Sequence, residues 1–224
     1  MTGLLRGEGF HINPKRTYGL CRENGLLCTP RGRKTKKRCG SVSNACHIRK
    51  ASKANEVWAV DFVSDRTCDG KSLKMLTVLD EFTREALAIE VERSMGAAGV
   101  RKVLSRLFIK RGAPAFVRSD NGGEFSGRVL EDAMREVGGE VALIAPGSPW
   151  QNGKNERFNG ILVEEVLSRE VWGNLLEAQV VCEAWRKTYN QVRPHGSLGM
   201  MTPSAYAQNQ LESGGWFQHS HLAD

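Results

Sequence analysis

Three apolar runs follow one another closely in the middle of the chain, and they restrict its fold more than any other feature. Residues 57–64, 74–80 and 85–91 have the length and composition of strands, with a turn indicated at Gly70. The remaining predicted elements alternate between helix and strand: helices over 97–110, 127–137, 154–168 and 175–190, and strands at 115–119 and 141–145. This order predicts an α/β fold with a mixed five-stranded sheet flanked by helices.

A short basic helical segment and a linker precede the predicted sheet. Asn13-Pro14 predicts a helix start and Gly25 a helix end, and one such helix cannot bury its own apolar stripe. Residues 29–55 are rich in Pro, Gly, Ser and basic residues, which predicts a flexible linker. The predicted division is therefore a short N-terminal region at 1–28, a linker at 29–55, a core at 56–208 and a flexible tail at 209–224.

Positive charge is concentrated at the front of the chain. Residues 1–60 carry thirteen Lys and Arg against three acids, whereas the whole chain has a net charge of +7. A solvated basic tail would explain this pattern, but its concentration into one segment favours a polyanion, and nucleic acid above all. The side chains expected to contact DNA are Lys15, Arg16, Arg31, Arg33, Lys34, Lys36, Lys37 and Arg38.

The cysteines and the apolar runs exclude other classes of protein. The six cysteines form no CxxC pair, so Cys39 and Cys46-His47 are weak zinc candidates and reduced thiols fit better. No apolar run is long enough to cross a bilayer, and no secretory leader is visible at the N-terminus. We expect a cytoplasmic protein without a membrane partner.

Three carboxylates stand in contexts that favour a metal site. Asp61 lies inside the first apolar run, where a buried carboxylate must be paired or bind a metal, unless that strand leaves it facing water. Asp120 follows the strand at 115–119 and precedes Asn121-Gly-Gly, which is equally a common turn sequence. Glu156 follows after thirty-five intervening residues, in a first helical turn where acids are favoured anyway. Together the three could hold divalent ions that activate water or a 3′-hydroxyl against a phosphodiester.

The neighbours of Glu156 are suited to contacts with DNA. Lys154 and Arg157 could neutralise phosphates, and three amides could bond sugar and phosphate oxygens: Asn152, Asn155 and Asn159. Trp150 could stack on a base, although packing onto the core is equally compatible with its position. His195, in a compact turn, fits a packing or capping role at least as well as catalysis. Asn121, Trp150 and His195 are auxiliary candidates.

Four segments in this order resemble the catalytic half of bacterial insertion-sequence transposases, the integrase-like group with an Asp-Asp-Glu triad. They are NEVWAVDF at 55–62, SDNG at 119–122, PWQNGKNERFNG at 149–160 and YNQVRPHGSLG at 189–199, the last with Thr202-Pro203 after it. The resemblance covers about residues 4–208. It implies a ribonuclease-H-like fold and places the triad, as both catalytic residues and metal ligands, at Asp61, Asp120 and Glu156.

The resemblance also implies an activity, its cofactors and its partners. Two Mg²⁺ (or Mn²⁺) ions per site would support strand cleavage and transfer of the exposed 3′-hydroxyl into target DNA. Double-stranded DNA, a homo-multimer on DNA and an upstream-frame transposase are the implied partners, in a bacterial cytoplasm near the nucleoid. Residues 1–28 would then be a truncated remnant of a helix-turn-helix region. The alternatives are a non-catalytic DNA-binding relic or regulator, and a plain ribonuclease-H-type nuclease.

Overall fold

The computed structural model describes residues 1–27, 51–119, 128–143 and 153–212. The chain divides into two compact units, Met1–Arg49 and Lys50–Asp224. In the described part of the chain no helix is both long enough and apolar enough to cross a membrane. Cys21, Cys68 and Cys182 are unpaired thiols, which agrees with the prediction for these three.

The N-terminal unit contains two helices, α1 (Thr2–Gly7) and α2 (Pro14–Glu23). The side chain of Asn13 caps α2 by accepting a hydrogen bond from the Arg16 N–H at 2.8 Å, as the Asn-Pro signal predicts. Gly25 ends the helix with a φ of 66°, a left-handed conformation that glycine adopts without steric cost. Both helix-end predictions are confirmed.

A five-stranded mixed sheet forms the centre of the second unit. Its strands are β1 (Val57–Arg66), β2 (Ser72–Asp80), β3 (Ala86–Glu92), β4 (Phe116–Ser119) and β5 (Glu140–Leu143). Their order is β3-β2-β1-β4-β5. The first three pair antiparallel, whereas β4 pairs parallel with both β1 and β5. The predicted sheet is confirmed, and β1 lies at its centre.

Helices cover both faces of this sheet. One face packs against α3 (Ala97–Arg111) and α4 (Arg128–Glu136) around Trp58 and Val60. The other face packs against α5 (Gly153–Leu162), the π-helical turn Val163–Leu167 and α6 (Leu175–Gln191). Because successive strand residues point to opposite faces, Asp61 lies on the α5 side of β1, opposite Trp58 and Val60.

The ends of the second unit differ from the sequence-based boundaries. Residues 51–55, which composition assigns to the linker, are hydrogen-bonded to the core through Asn55. The Asn55 N–H donates to Asp80 at 2.8 Å, and the Asn55 side-chain amide donates to the Arg111 carbonyl at 2.6 Å. A further helix, α7 (Pro203–Glu212), passes the predicted tail boundary at residue 208. The predicted helix over 154–168 is helical almost throughout, but its last turn has π geometry.

Candidate active site

Asp61 is held in a fixed orientation near the middle of β1. Its carboxylate is half-buried, and its Oδ1 accepts a hydrogen bond from the Phe62 N–H at 2.8 Å. Its Oδ2 accepts a second bond from the Asn159 amide at 2.9 Å. These two bonds fix the orientation of the carboxylate. Asp61 is partly exposed, so the expectation that it faces away from solvent stays a prediction.

Asn159 joins helix α5 to the strand that carries Asp61. Its side-chain oxygen accepts from the Thr77 hydroxyl at 3.0 Å, while its NH₂ group donates to Asp61. Thr77 is fully buried and lies opposite Asp61 in the register of β1 and β2. A buried amide that bonds both neighbouring strands fixes the position of this turn of α5. It also orients the Asp61 carboxylate, as outer-shell partners commonly orient metal ligands.

Glu156 lies one helical turn before Asn159 and is exposed. Phe158 and Leu162 on the same helix are buried at 1% and 0% exposure, so Glu156 faces away from the core as the helical spacing predicts. Gly160 follows on the exposed side, and a Cβ added to it would meet no atom of the described residues within 4 Å. The surface beside Glu156 is therefore open enough for a large ligand to approach the backbone.

The sheet register bears on the third carboxylate. Asp120 lies outside the described residues, but β4 ends at Ser119 immediately before it. Ala59 on β1 is paired with Arg118 on β4, and these residues precede Asp61 and Asp120 by two positions each. Among the described residues, no three His, Cys, Asp or Glu side chains are grouped closely enough to hold a metal ion.

A buried acid, Glu81, connects the segments that lead to Asp120 and Glu156. Its side chain is 2% exposed and forms an ion pair with Arg118, whose side chain is 8% exposed. The Lys154 ammonium lies 3.2 Å from a second Glu81 oxygen and donates to the Glu81 carbonyl at 3.1 Å. Burial lowers the pKa of Lys154, and the charge of Glu81 partly opposes this effect. Arg118 and Lys154 stand two residues before Asp120 and Glu156, respectively.

Two buried polar side chains next to these positions have no hydrogen-bond partner among the described residues. The Ser119 hydroxyl and both polar atoms of the Asn155 amide are buried without a hydrogen bond. Buried polar groups are normally satisfied, and exceptions often mark a site that a ligand or water completes. Ser119 and Asn155 directly precede Asp120 and Glu156 in the sequence, and hydroxyl, amide and carboxylate oxygens are donors that suit a hard divalent cation.

Two other acids near the sheet, Asp80 and Asp65, have structural roles. Asp80 is fully buried and accepts hydrogen bonds from the N–H groups of Phe82 and Thr83 at 2.8 and 3.0 Å, which caps the turn after β2. Asp65 accepts a bond from the Trp172 indole at 2.7 Å.

Two of the predicted DNA contacts need correction. Asn155 is 0% exposed and Asn159 is 9% exposed, so neither amide is presented to a DNA surface. Their helical positions turn them towards the sheet, where Asn159 bonds Asp61 and Thr77. Composition alone suggested surface amides because asparagine is usually exposed.

The remaining predicted contacts divide into described and undescribed positions. Lys15 and Arg16 are exposed on α2, and Arg157 is exposed on α5, whereas Lys154 is partly buried. Several candidates lie outside the described residues: Arg31, Arg33, Lys34, Lys36, Lys37, Arg38, Asp120, Asn121, Trp150 and Asn152.

His195 follows α6 and packs edge-on against Tyr189, with ring centroids 4.8 Å apart. Its carbonyl accepts from the N–H groups of Leu198 and Met200 at 3.0 and 2.9 Å, so the residue organises the turn in which it stands. Burial lowers the pKa of His195 to about 4, with a further contribution from Arg193. The ring is therefore neutral at neutral pH.

Sequence reasoning missed Glu81, Thr77 and the orienting role of Asn159. Glu81 belongs to the Asp-Glu-Phe-Thr-Arg segment after β2, where an acid reads as part of a solvated turn. The apolar residues around Thr77 in its strand were the only feature of the sequence that indicated its burial. Their pairing partners are distant in sequence, so the pairings needed the fold.

Comparison with known proteins places the chain among relatives from mobile elements. Two protein-family models, both described as integrase core domain, match residues 51–149 and 137–203. The insertion element IS407 uncharacterized 31.7 kDa protein of Burkholderia multivorans is 39% identical over 204 residues, covering 91% of this chain and 72% of that protein. An insertion element IS476 protein of Xanthomonas euvesicatoria is 38% identical over 206 residues, and the chain spans only 58% of its length.

The chain is also similar to a relative named as a transposase and to a solved structure. The transposase for insertion sequence element IS904 of Lactococcus lactis is 24% identical over 215 residues, covering 92% of this chain and 85% of that protein. The HTLV-2 integrase catalytic core domain, solved in complex with magnesium, superposes with a TM-score of 0.54 at 16% identity, covering 70% of this chain and 98% of that one. At this identity the likeness concerns the fold, and it confirms the predicted ribonuclease-H-like class.

Proposed function

Because this chain belongs to the bacterial insertion-sequence transposases with an integrase core, we propose that it cleaves DNA strands and transfers their 3′ ends into target DNA. The observation that carries this proposal is the hydrogen bond between Asn159 and Asp61. It docks the turn of α5 that bears Glu156 against the strand that bears Asp61. Two carboxylates of the expected triad are thereby tied to one network of contacts.

The proposed metal ligands are Asp61, Asp120 and Glu156, which would hold two Mg²⁺ or Mn²⁺ ions. When bound, such ions activate the attacking oxygen and stabilise the leaving oxygen of a phosphodiester. The carboxylate donors and the unpartnered polar atoms beside them support this choice of cation, as does the magnesium complex of the HTLV-2 integrase core. The parallel pairing of Ala59 with Arg118 supports the inclusion of Asp120.

The other residues of the site would position and bind the DNA. Asn159 keeps the Asp61 carboxylate oriented, while the open surface at Gly160 leaves room for a strand beside Glu156. Lys15, Arg16 and the basic segment 31–38 would contact the phosphate backbone without reading sequence. We further propose that the chain acts as a homo-multimer on double-stranded DNA, with an upstream-frame transposase protein as a candidate partner.

A strand-transfer assay tests this function directly. The full chain is incubated with Mn²⁺ and labelled duplexes taken from the inverted repeats that flank its gene, and joined products are resolved by length. We expect joining by the wild-type chain and none by Asp61→Asn, Asp120→Asn or Glu156→Gln. Asp132→Asn and Glu136→Gln, which change exposed acids on α4, are the matched controls and should stay active.

Each other outcome has a distinct meaning. Full activity in one triad variant would remove that residue from the set of ligands. Cutting without joining would indicate a nuclease of the ribonuclease-H type. DNA binding that is sensitive to salt, with neither cutting nor joining, would indicate a regulator of transposition.

A further inference from the structure

A basic cavity lies on a face of α5 that does not carry Glu156. It has a volume of about 410 Å³ and is enclosed by α5, the turn after β2 and the segment after α6. Its cationic side chains are Arg84, Lys154, Arg157 and Arg193, and no acidic side chain lines it within the described part of the chain. A concave surface with this charge selects an anionic ligand.

Two of these cations have no carboxylate partner of their own. Lys154 pairs with Glu81 at 3.2 Å, and Arg193 pairs with Glu165. Among the described residues, Arg84 and Arg157 take part in no ion pair. Burial lowers the pKa of Arg84, although Glu81 acts in the opposite direction. A partly buried guanidinium without a partner is costly, and an anion in the cavity would offset that cost.

The backbone and a buried imidazole point to the same cavity. Arg84 has a φ of 63°, a left-handed conformation that is rare for a residue with a side chain and often marks a functional position. His195 lines the cavity, and its Nε2 atom is buried without a hydrogen-bond partner. Gly153 also lines it and begins α5, whose first N–H groups have no partner within the helix.

The position of the cavity on α5 separates it from the metal site. At about 100° per residue, Lys154, Arg157 and Ile161 lie about 100–160° from Glu156 around the axis of α5. A strand would need to cross about one helix diameter, ~10–12 Å, to pass from one face to the other.

We propose that this cavity binds a backbone phosphate of the DNA strand, other than the phosphodiester that reacts. Arg84 and Arg157 are the principal ligands of that phosphate, and His195 donates a hydrogen bond to it from Nε2. The inference rests on the proposed function for its ligand, because DNA is the polyanion on which that function acts. The cavity would thus provide a contact to the substrate strand in addition to the metal ligands.

Salt-dependent DNA binding tests the proposal without requiring catalysis. The affinity of the full chain for a labelled duplex is measured over a range of salt concentrations, for the wild type, for Arg84→Gln with Arg157→Gln, and for Arg101→Gln. Arg101 is exposed on α3, on the opposite face of the sheet, and controls for the loss of a single positive charge away from the cavity. Loss of one phosphate contact should reduce the slope of log K against log salt by about 0.9 in the double variant. Arg101→Gln should keep the wild-type slope.

A second readout follows the imidazole itself. The ring signals of His195 should shift in NMR spectra when the duplex is added to the wild type, and should not shift in the double variant. Retained intensity of tryptophan fluorescence checks that the variant is folded. A wild-type slope in the double variant, or a His195 signal that responds to inorganic phosphate and not to the duplex, would overturn the proposal.

These results are independent of the strand-transfer assay. A chain that binds DNA through Arg84 and Arg157 but never joins strands would retain the phosphate site and lose the proposed activity. A chain that joins strands with an unchanged salt slope in the double variant would retain the activity and lose the phosphate site.

Discussion

Removal of the buried charge on Glu81 should destabilise the second unit strongly. In Glu81→Gln the shape of the side chain is nearly preserved, but Arg118, at 8% side-chain exposure, loses the carboxylate charge of Glu81. Breaking a buried ion pair in this way typically costs about 3–5 kcal/mol. Lys154 is 31% exposed, so its share of the loss should be below about 1 kcal/mol. The expected loss is a large part of the ~5–15 kcal/mol of a typical domain.

Urea denaturation followed by tryptophan fluorescence measures this loss. All five tryptophans of the chain lie at or after Trp58, so the signal reports the second unit. The matched control is Glu136→Gln, because Glu136 is 61% exposed and pairs with an Arg101 that is 42% exposed. An exposed pair of this kind should contribute about 0–1 kcal/mol.

A double-mutant cycle measures the interaction energy between Glu81 and Arg118 separately from the other effects of each substitution. Arg118→Gln and the Glu81→Gln, Arg118→Gln double variant complete the cycle, and the double variant should lose much less stability than the sum of the single changes. A loss below about 1 kcal/mol in Glu81→Gln, or one no larger than in Glu136→Gln, would refute the claim that this buried pair braces the segments before Asp120 and Glu156.

Three further predictions follow from the contacts described. Asn159→Ala should weaken Mn²⁺ binding about 10–100-fold in calorimetry, because Asp61 loses the partner that orients it, and an unchanged affinity would contradict this role. Burial holds the pKa of His195 at about 4, below its ordinary 6.5, so the unfolded chain binds more protons between these values and stability falls as pH drops from 6.5 to 4. Thermal unfolding of His195→Gln should be less sensitive to pH in that window, and an equal sensitivity would exclude His195 as a cause. Asn13→Ala should destabilise α2 by about 1 kcal/mol, seen as faster amide exchange of Arg16, whereas unchanged exchange would argue against the cap.

The spacing of apolar residues in the sequence was sufficient to predict most of the strands and helices of the fold. The apolar runs at 57–64, 74–80 and 85–91 became β1, β2 and β3 because each is long enough and apolar enough to occupy the middle of a sheet. Helix α7 was missed, although Thr202-Pro203 is a start signal and the Thr202 hydroxyl accepts from the Ala205 N–H at 3.3 Å. Local signals outside the strongest apolar runs were easy to pass over.

The candidate site, like the fold, could be predicted from the sequence only in part. The position of Asp61 in a buried strand and of Glu156 on the exposed side of a helix followed from their local sequence. The burial of Asn155 and Asn159, and the pairing of Glu81 with Arg118, could not be predicted because they depend on which strand each side chain meets. An asparagine on a helix or an acid in a turn carries no local sign that it is buried.

The central claim is that Asp61, Asp120 and Glu156 share divalent metal ions. Anomalous diffraction from crystals of the full chain grown with Mn²⁺ tests this claim most directly. We expect anomalous peaks in contact with the Asp61 and Glu156 carboxylates, with Asp120 completing the ligands, and their loss in Asp61→Asn. Mn²⁺ peaks that touch neither carboxylate, or none at this site in crystals soaked with excess Mn²⁺, would contradict the account.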